Sequence, residues 1–406
     1  MTRTAAERRA GVSVLVAGGG VAALETALAL RALASGLVSV ELLAPEPHFF
    51  YRPLAVAEAF GAGHVHRWEL GDLARAAGAD FVPGDLASVD VEGHVAEVKS
   101  GLRIGYDALV LATGARPQPA VPGALTFRGP ADIEAMERLL EEIVRGEVER
   151  VVFAVPSGVV WPLPLYELAL LTATELEARG VNAALTVVTS EPAPLALFGD
   201  AASAAVNGLL AARGVEVRVS AYPVEATAEG LVCRQAGALE ADRVVALPRL
   251  TGPEIPGIPR DRSGFVPTDE HGRVRGSRDL YAAGDLTTFP VKQGGLAAQQ
   301  ADAVAETIAA AAGAAVEPSP FRPVLRALLL TGKEPAFLRV ELGGGRGETS
   351  TASSEPLWWP HGKIVGRYLA PFLAELAVFD IAPESEEEVL RIELDAAQAH
   401  LLGWPR

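Results

Sequence analysis

The chain has 406 residues, 50% of them hydrophobic and 21% charged, enough to bury a large core and to build two or three domains. A formal net charge of −16 removes the basic footprint that a nucleic-acid binder needs and sets the chain as a whole against an anionic membrane surface. The lone cysteine, Cys233, excludes an intramolecular disulfide and any redox-active cysteine pair.

The predicted elements begin with a strand that runs from about 12 to 17 into Gly18-Gly19-Gly20 and then a helix. Arg3, Arg8 and Arg9 ahead of an apolar stretch imitate a secretory signal, but the triple glycine and Glu25 favour a strand-turn-helix unit. A second strand spans Val38 to Leu43 and leads to a loop with Tyr51-Arg52-Pro53-Leu54. Short alternating runs from Phe81 to Ile104, broken at Pro83-Gly84, Glu92-Gly93 and Ser100-Gly101, predict a β-meander. A buried strand then runs from Tyr106 to the turn Thr113-Gly114.

Pro117 to Pro130 is rich in proline and reads as the crossing into a second domain. There the pattern is helix 131–145, strand Arg150 to Val155, helix 164–179, strand Ala184 to Thr189 and helix 200–213, then strands at Glu216 to Val219, Gly230 to Cys233 and Arg243 to Leu247. Residues 251–285 return to the first domain and close with a strand that ends in Gly284-Asp285. A loop then feeds a long Ala-rich helix, and the remainder is a third region with its own aromatic character and a polar loop from Gly343 to Ser354. No uninterrupted apolar run of about twenty residues reads as a membrane span.

Three strand ends carry the chemistry. Gly18 allows a tight turn, Gly20 removes a side chain where a dinucleotide pyrophosphate must approach the backbone, and Ala23 lets helix pack on strand. Val21 and Ala22 open the helix, whose free N–H groups and positive dipole end face the phosphates. Such turns also occur without ligand, so the other two ends matter: Ala112-Thr113-Gly114 and Gly284-Asp285 both close buried parallel strands, where ligands sit.

In this order and at these separations, the three resemble the FAD-binding set of the pyridine nucleotide-disulfide oxidoreductase superfamily, and nearly the whole chain resembles its sulfide:quinone oxidoreductase and type II NADH dehydrogenase branch. The resemblance implies an α/β fold with two Rossmann-like three-layer nucleotide-binding domains and a C-terminal α+β region. The FAD domain is discontinuous, 1–125 with 251–318; the second, degenerate domain is 126–250; the capping or interface region is 319–406. It also implies noncovalent FAD. Asp285 would accept from the ribityl chain, and the helix N-terminus at Gly294, Gly295 and Leu296 would face the N1/O2 edge of the flavin. A helix N-terminus there favours the reduced, anionic flavin by about 0.3 to 1 kcal/mol. Arg52 and Pro53 would lie beside the pyrophosphate and flavin, Leu86 would join the cofactor contacts, and Glu46 would hold the ribose from a slightly displaced position. Lys292 is the catalytic candidate, adding positive potential; its alternative is a solvated surface lysine. Gln293, Gln299 and Gln300 could hydrogen-bond flavin or substrate, or simply favour the helix.

Relatives that oxidise NADH have a second glycine fingerprint, but here the stretch reads Val155-Pro156-Ser157-Gly158-Val159-Val160-Trp161-Pro162, with one glycine. Val and Trp side chains oppose a dinucleotide in the usual pose. Sulfide-oxidising relatives need paired cysteines, and Cys233 is better read as a small buried residue. His48, His64 and His66 lack a recognisable ligand spacing, so no metal is expected. Trp358, Trp359, Lys363 and Arg367 would suit a membrane-interface belt. The acidic helix start Glu384-Ser385-Glu386-Glu387-Glu388 disfavours that, and packing over the flavin or a homodimer interface explains the same aromatics. The expectation is a cytoplasmic FAD-dependent oxidoreductase. Its partners are a small-molecule donor, left open, and an acceptor that family analogy makes a quinone. The alternatives are an NAD(P)H:quinone oxidoreductase and a noncatalytic flavin-binding partner protein.

Overall fold

A computed structural model describes residues 2–3, 11–159, 161–234, 237–342 and 350–376. Arg8, Arg9, Val160, most of the Gly343–Ser354 loop and the acidic Glu384–Glu388 segment lie outside the described residues. The first sheet has five parallel strands in the spatial order Leu280–Ala282, Ala108–Leu111, Val12–Ala17, Val38–Ala44, Ala79–Pro83. Both faces are covered, which is why these strands are nearly unbroken apolar runs. Val14, Val16, Leu42 and Val110 point to the face that packs on the helices Val21–Ala34 and Gly294–Ala311. Leu15, Leu43, Leu109 and Leu111 point to the other.

The strands Leu86–Asp90, Val95–Val98 and Arg103–Gly105 form the expected meander and cover that second face. Phe81 is not part of it. Ala79–Pro83 is the fifth parallel strand, with Phe81 opposite Leu42, because the short helix Leu70–Ala76 supplies the crossover that a parallel neighbour requires. That helix is only seven residues long and left too weak a periodic signal to be anticipated.

A second parallel sheet runs Leu125–Thr126, Arg243–Ala246, Arg150–Val155, Ala184–Thr189, Glu216–Arg218. The helices Ile133–Val144, Leu163–Arg179 and Asp200–Ala212 accompany it. Tyr222–Thr227, Gly230–Arg234 and Gly237–Glu240 make an antiparallel sheet, of which only the middle strand was expected. The chain crosses between the two parallel sheets twice, and the crossings pair as a ribbon, Arg116–Gln118 with Arg249–Thr251. The last described region is an antiparallel sheet of Val324–Leu329, Ala336–Glu341 and Ser350–Ser353, an irregular strap and the helix Leu369–Glu375. Leu325, Ala327, Leu329, Leu338 and Val340 share one core with Leu165, Leu168 and Leu296, so this sheet is packed between the second domain and the long Gly294–Ala311 helix.

Candidate functional site

The three chemistry-bearing strand ends meet at one edge of the first sheet. Ala17, Leu111 and Ala282 terminate neighbouring strands, and their turns lie side by side. Gly18 has φ +142°, and a Cβ there would stand 2.1 Å from the Ala112 carbonyl, so only glycine lets the Thr113-Gly114 turn cross the glycine turn. A Cβ on Gly20 would meet nothing within 4 Å. The helix that follows has no side-chain cap and no acid in its first turn, which leaves its N–H groups for an anion. Ala22 and Gly284 approach each other closely, a Cβ on Gly284 coming 3.2 Å from that of Ala22, and Ala23 is fully buried against the sheet. An open cradle over uncapped N–H donors fits a dinucleotide pyrophosphate.

Glu46 is exposed just past the end of Val38–Ala44, and Leu86 opens the meander beyond the end of Ala79–Pro83. Both stand at the far end of this edge from the cavity described next. The glutamines are committed internally. Gln293 caps the Gly294–Ala311 helix by accepting from the Leu296 N–H at 2.8 Å, and Gln300 accepts from the Gly284 N–H at 2.7 Å. Gln299 bridges to the backbone of Val324 at 2.9 Å.

At the near end a cavity of about 470 Å³ opens between the two parallel sheets and the C-terminal sheet. Arg52, Pro53, Asp285, Lys292, Gln293 and Gly294 line it, as do residues that sequence reasoning missed: Phe127, Arg128, Glu167, Phe265 and Ile364. Lys292 is 6% exposed, which removes the solvated reading. Its Nζ donates to the Thr287 carbonyl and lies 3.9 Å from the Phe265 ring centre. Burial pushes Lys292 down to about 8, opposed by the charges of Asp285 and Asp261. Burial likewise pushes the Asp285 carboxyl up, opposed by Lys292 and Arg52. Across the cavity, Lys363 donates to both oxygens of Glu167 at 2.6 and 2.7 Å, with both residues buried. A lone acid in the apolar run Leu163–Ala173 was the available signal for Glu167; nothing in the sequence joined it to Lys363, 196 positions away.

Lys363 is therefore a buried partner rather than a belt residue. Trp358 also turns inward, its Nε1 donating to the Gly362 carbonyl at 3.1 Å, while Trp359 remains 61% exposed. Among the described residues no helix is long and apolar enough to cross a membrane. His48 and His64 each contact a different carboxylate, Glu69 at 2.9 Å and Glu58 at 3.3 Å.

The turn of the second domain is built differently from the glycine turn of the first. Seven residues, 156–162, separate Val155 from the helix at Leu163, against three in the first domain. Pro162 and Pro164 remove backbone donors from that helix start. The Trp161 ring packs 5.9 Å from that of buried Phe198. Glu191, just past the second strand where an acid would take a ribose, accepts instead from Tyr166 Oη at 2.6 Å and Thr189 Oγ1 at 2.9 Å. These residues do not fit a dinucleotide in the usual pose. Cys233 is buried in the antiparallel sheet, away from the cavity lining, and burial pushes its thiol up.

The family model of the pyridine nucleotide-disulphide oxidoreductases matches residues 12–314. The chain belongs to that family. An NADH dehydrogenase-like protein of Mycobacterium tuberculosis is 26% identical over 301 residues, 67% of this chain and 72% of its own. A sulfide-quinone reductase of Aquifex aeolicus is 29% identical over 187 residues, 44% and 43% of the two chains. The solved sulfide:quinone oxidoreductase of Aquifex aeolicus has the same fold, with a TM-score of 0.78 at 22% identity over 95% of this chain and 96% of that one. The family member described here is a flavin-dependent oxidoreductase.

Proposed function

We propose that this oxidoreductase holds FAD noncovalently along the carboxyl edge of the first sheet and passes electrons from a small donor to a quinone or similar acceptor reaching the cavity. The observation that carries the reading is the convergence of the Gly18–Gly20, Thr113-Gly114 and Gly284-Asp285 turns beside a largely apolar cavity. FAD, when bound, supplies two-electron reduction and reoxidation. The chain's own part is binding and electrostatics. Gly20 and the N–H groups of Val21, Ala22 and Ala23 receive the pyrophosphate, with Arg52 and Pro53 beside it; Glu46 and Leu86 serve the adenosine end. Asp285 orients the ribityl chain. The N-terminus at Gly294, Gly295 and Leu296, together with Lys292, favours negative charge at the edge of the ring. The Glu167–Lys363 pair keeps a charge-paired polar group among the apolar neighbours Leu163, Leu328 and Ile364, which orients an acceptor without filling the space.

The names of two relatives support a second reading, NAD(P)H as donor. One is the NADH dehydrogenase-like protein; the other is an alternative NAD(P)H-ubiquinone oxidoreductase of Arabidopsis thaliana, 27% identical over 332 residues. Against it stand Trp161, Pro162, Pro164 and the internal engagement of Glu191. The deciding experiment is anaerobic mixing of the FAD-loaded protein with NADH, NADPH or sulfide while the flavin absorbance is followed. Millisecond bleaching by NADH establishes the second reading, and bleaching by sulfide requires a cysteine-independent route. No bleaching by any of the three favours the reading as a noncatalytic flavin-binding partner protein, and a protein that cannot be loaded with FAD defeats the proposal outright.

A further inference from the structure

We propose that the carboxyl edge of the second parallel sheet binds a small molecule made of a carboxylate on an apolar body, with Arg128 gripping the carboxylate. Ligands of open parallel sheets sit at the carboxyl ends of the strands. Three neighbouring strands of this sheet, Leu125–Thr126, Arg243–Ala246 and Arg150–Val155, end at the cavity. The residues that follow them line it: Phe127 and Arg128, Leu247, and Val159 with Trp161. The turn at 156–162 does not fit a dinucleotide in the usual pose, so this edge is open to a smaller ligand. With FAD on the first sheet's edge, the reading on which this proposal rests, the second edge is left to another molecule.

Among the described residues, Arg128 is the one charged side chain that these strand ends bring to the cavity. It is held in place. Its backbone N–H donates to Asp132 Oδ2 at 2.8 Å, its Nε to the same oxygen at 3.0 Å and its Nη2 to Oδ1 at 2.6 Å. Asp132 is buried, whereas the Arg128 side chain is 46% exposed. Gly129, with φ +118°, turns the chain so that Asp132 returns to Arg128, and the Asp132 N–H donates to the Gly129 carbonyl at 2.9 Å. Nε and one Nη2 hydrogen are spent on Asp132. Both Nη1 hydrogens and the second on Nη2 remain, a fixed fork that matches the two oxygens of a carboxylate.

The rest of the lining favours an anion with an apolar body. Phe127, Leu163 and Leu247 are buried there, and Val159 and Trp161 are partly buried. The two acids of the lining already face cations, Glu167 in its bonds to Lys363 and Asp285 beside Lys292 and Arg52. Arg249 adds positive potential at Gly158, its Nε lying 3.6 Å from where a Cβ would stand. A cationic ligand would therefore be repelled, and a neutral one would make hydrogen bonds about half as strong. The volume of about 470 Å³ is that of a small-molecule site.

The test is calorimetric titration of the FAD-loaded protein at neutral pH with 2-naphthoate and with 2-naphthamide, a neutral probe of nearly the same shape. Naphthoate should bind about tenfold more tightly. Arg128→Met should abolish that preference and leave naphthamide binding in place. Should that variant strand the buried Asp132 carboxylate and not fold, Arg128→Met with Asp132→Asn removes the charge as well and should behave the same way. Trp161→Ala should weaken both probes alike, since it removes part of the apolar wall. Equal affinities for the two probes, a preference that survives the loss of Arg128, or a Trp161→Ala variant that binds both as before overturns the proposal. Failure to load FAD defeats the underlying reading and this site with it, whereas loaded protein without a naphthoate preference defeats this site alone.

Discussion

Lys292 is the residue whose environment says most about redox chemistry. It is buried beside Asp285 and the Gly294 helix start, yet pushed only down to about 8, so it is a cation at neutral pH. Lys292→Met should lower the flavin midpoint potential by roughly 20 mV at pH 7, the equivalent of about 1 kcal/mol for a two-electron couple. The difference from the unaltered protein should close as pH rises through about 8, where Lys292 itself loses its proton. Spectroelectrochemistry across pH 6–9 reads both, and a gap that does not change with pH would place the lysine elsewhere. Gly18→Ala brings a Cβ to 2.1 Å of the Ala112 carbonyl at a φ of +142°. The backbone strain alone is on the order of 1–3 kcal/mol. The expected result is a destabilised protein purified with little flavin, checked by absorbance ratio and melting. Lys363→Met strands the buried Glu167 carboxylate and should cost about 3–5 kcal/mol in urea unfolding. Adding Glu167→Leu should recover most of that, because the apolar pair removes the uncompensated charge.

At the scale of elements, the strands of both parallel sheets were readable because burial on two faces leaves long apolar runs between glycine turns. The long helix from Gly294 was readable for its length and alanine content. Ala79–Pro83 was assigned to the wrong sheet, since periodicity within a strand does not say which neighbour it pairs with. The second-domain turn repeats the strand and the helix of the first and differs only in what joins them. Equilibrium dialysis should therefore show NADH binding weaker than about 1 mM. Trp161→Gly alone should not restore it, since Pro162, Pro164 and the hydrogen bonds held by Glu191 remain.

For the whole molecule, the proposed FAD site links cofactor binding to folding, because its strand-end turns come from segments as far apart as Gly18 and Gly284. FAD at 100 times its dissociation constant should add about 2.7 kcal/mol of stability, visible as a rise in Tm on loading. The first-domain set Gly18, Gly20, Thr113, Gly114, Gly284 and Asp285 was legible from sequence because each lies in a short turn read from local residue type: Gly18, Gly114 and Gly284 have positive φ, Gly20 leaves open space over the helix start, and Asp285 follows Gly284. The same local chemistry declared the second turn different and excluded a cysteine pair. The pairing of Glu167 with Lys363, the burial of Lys292 and the cavity they line were decided only by the tertiary structure. Each joins residues from separate segments, and the free energy of a buried charge depends on what the packed chain places around it, which no local pattern encodes.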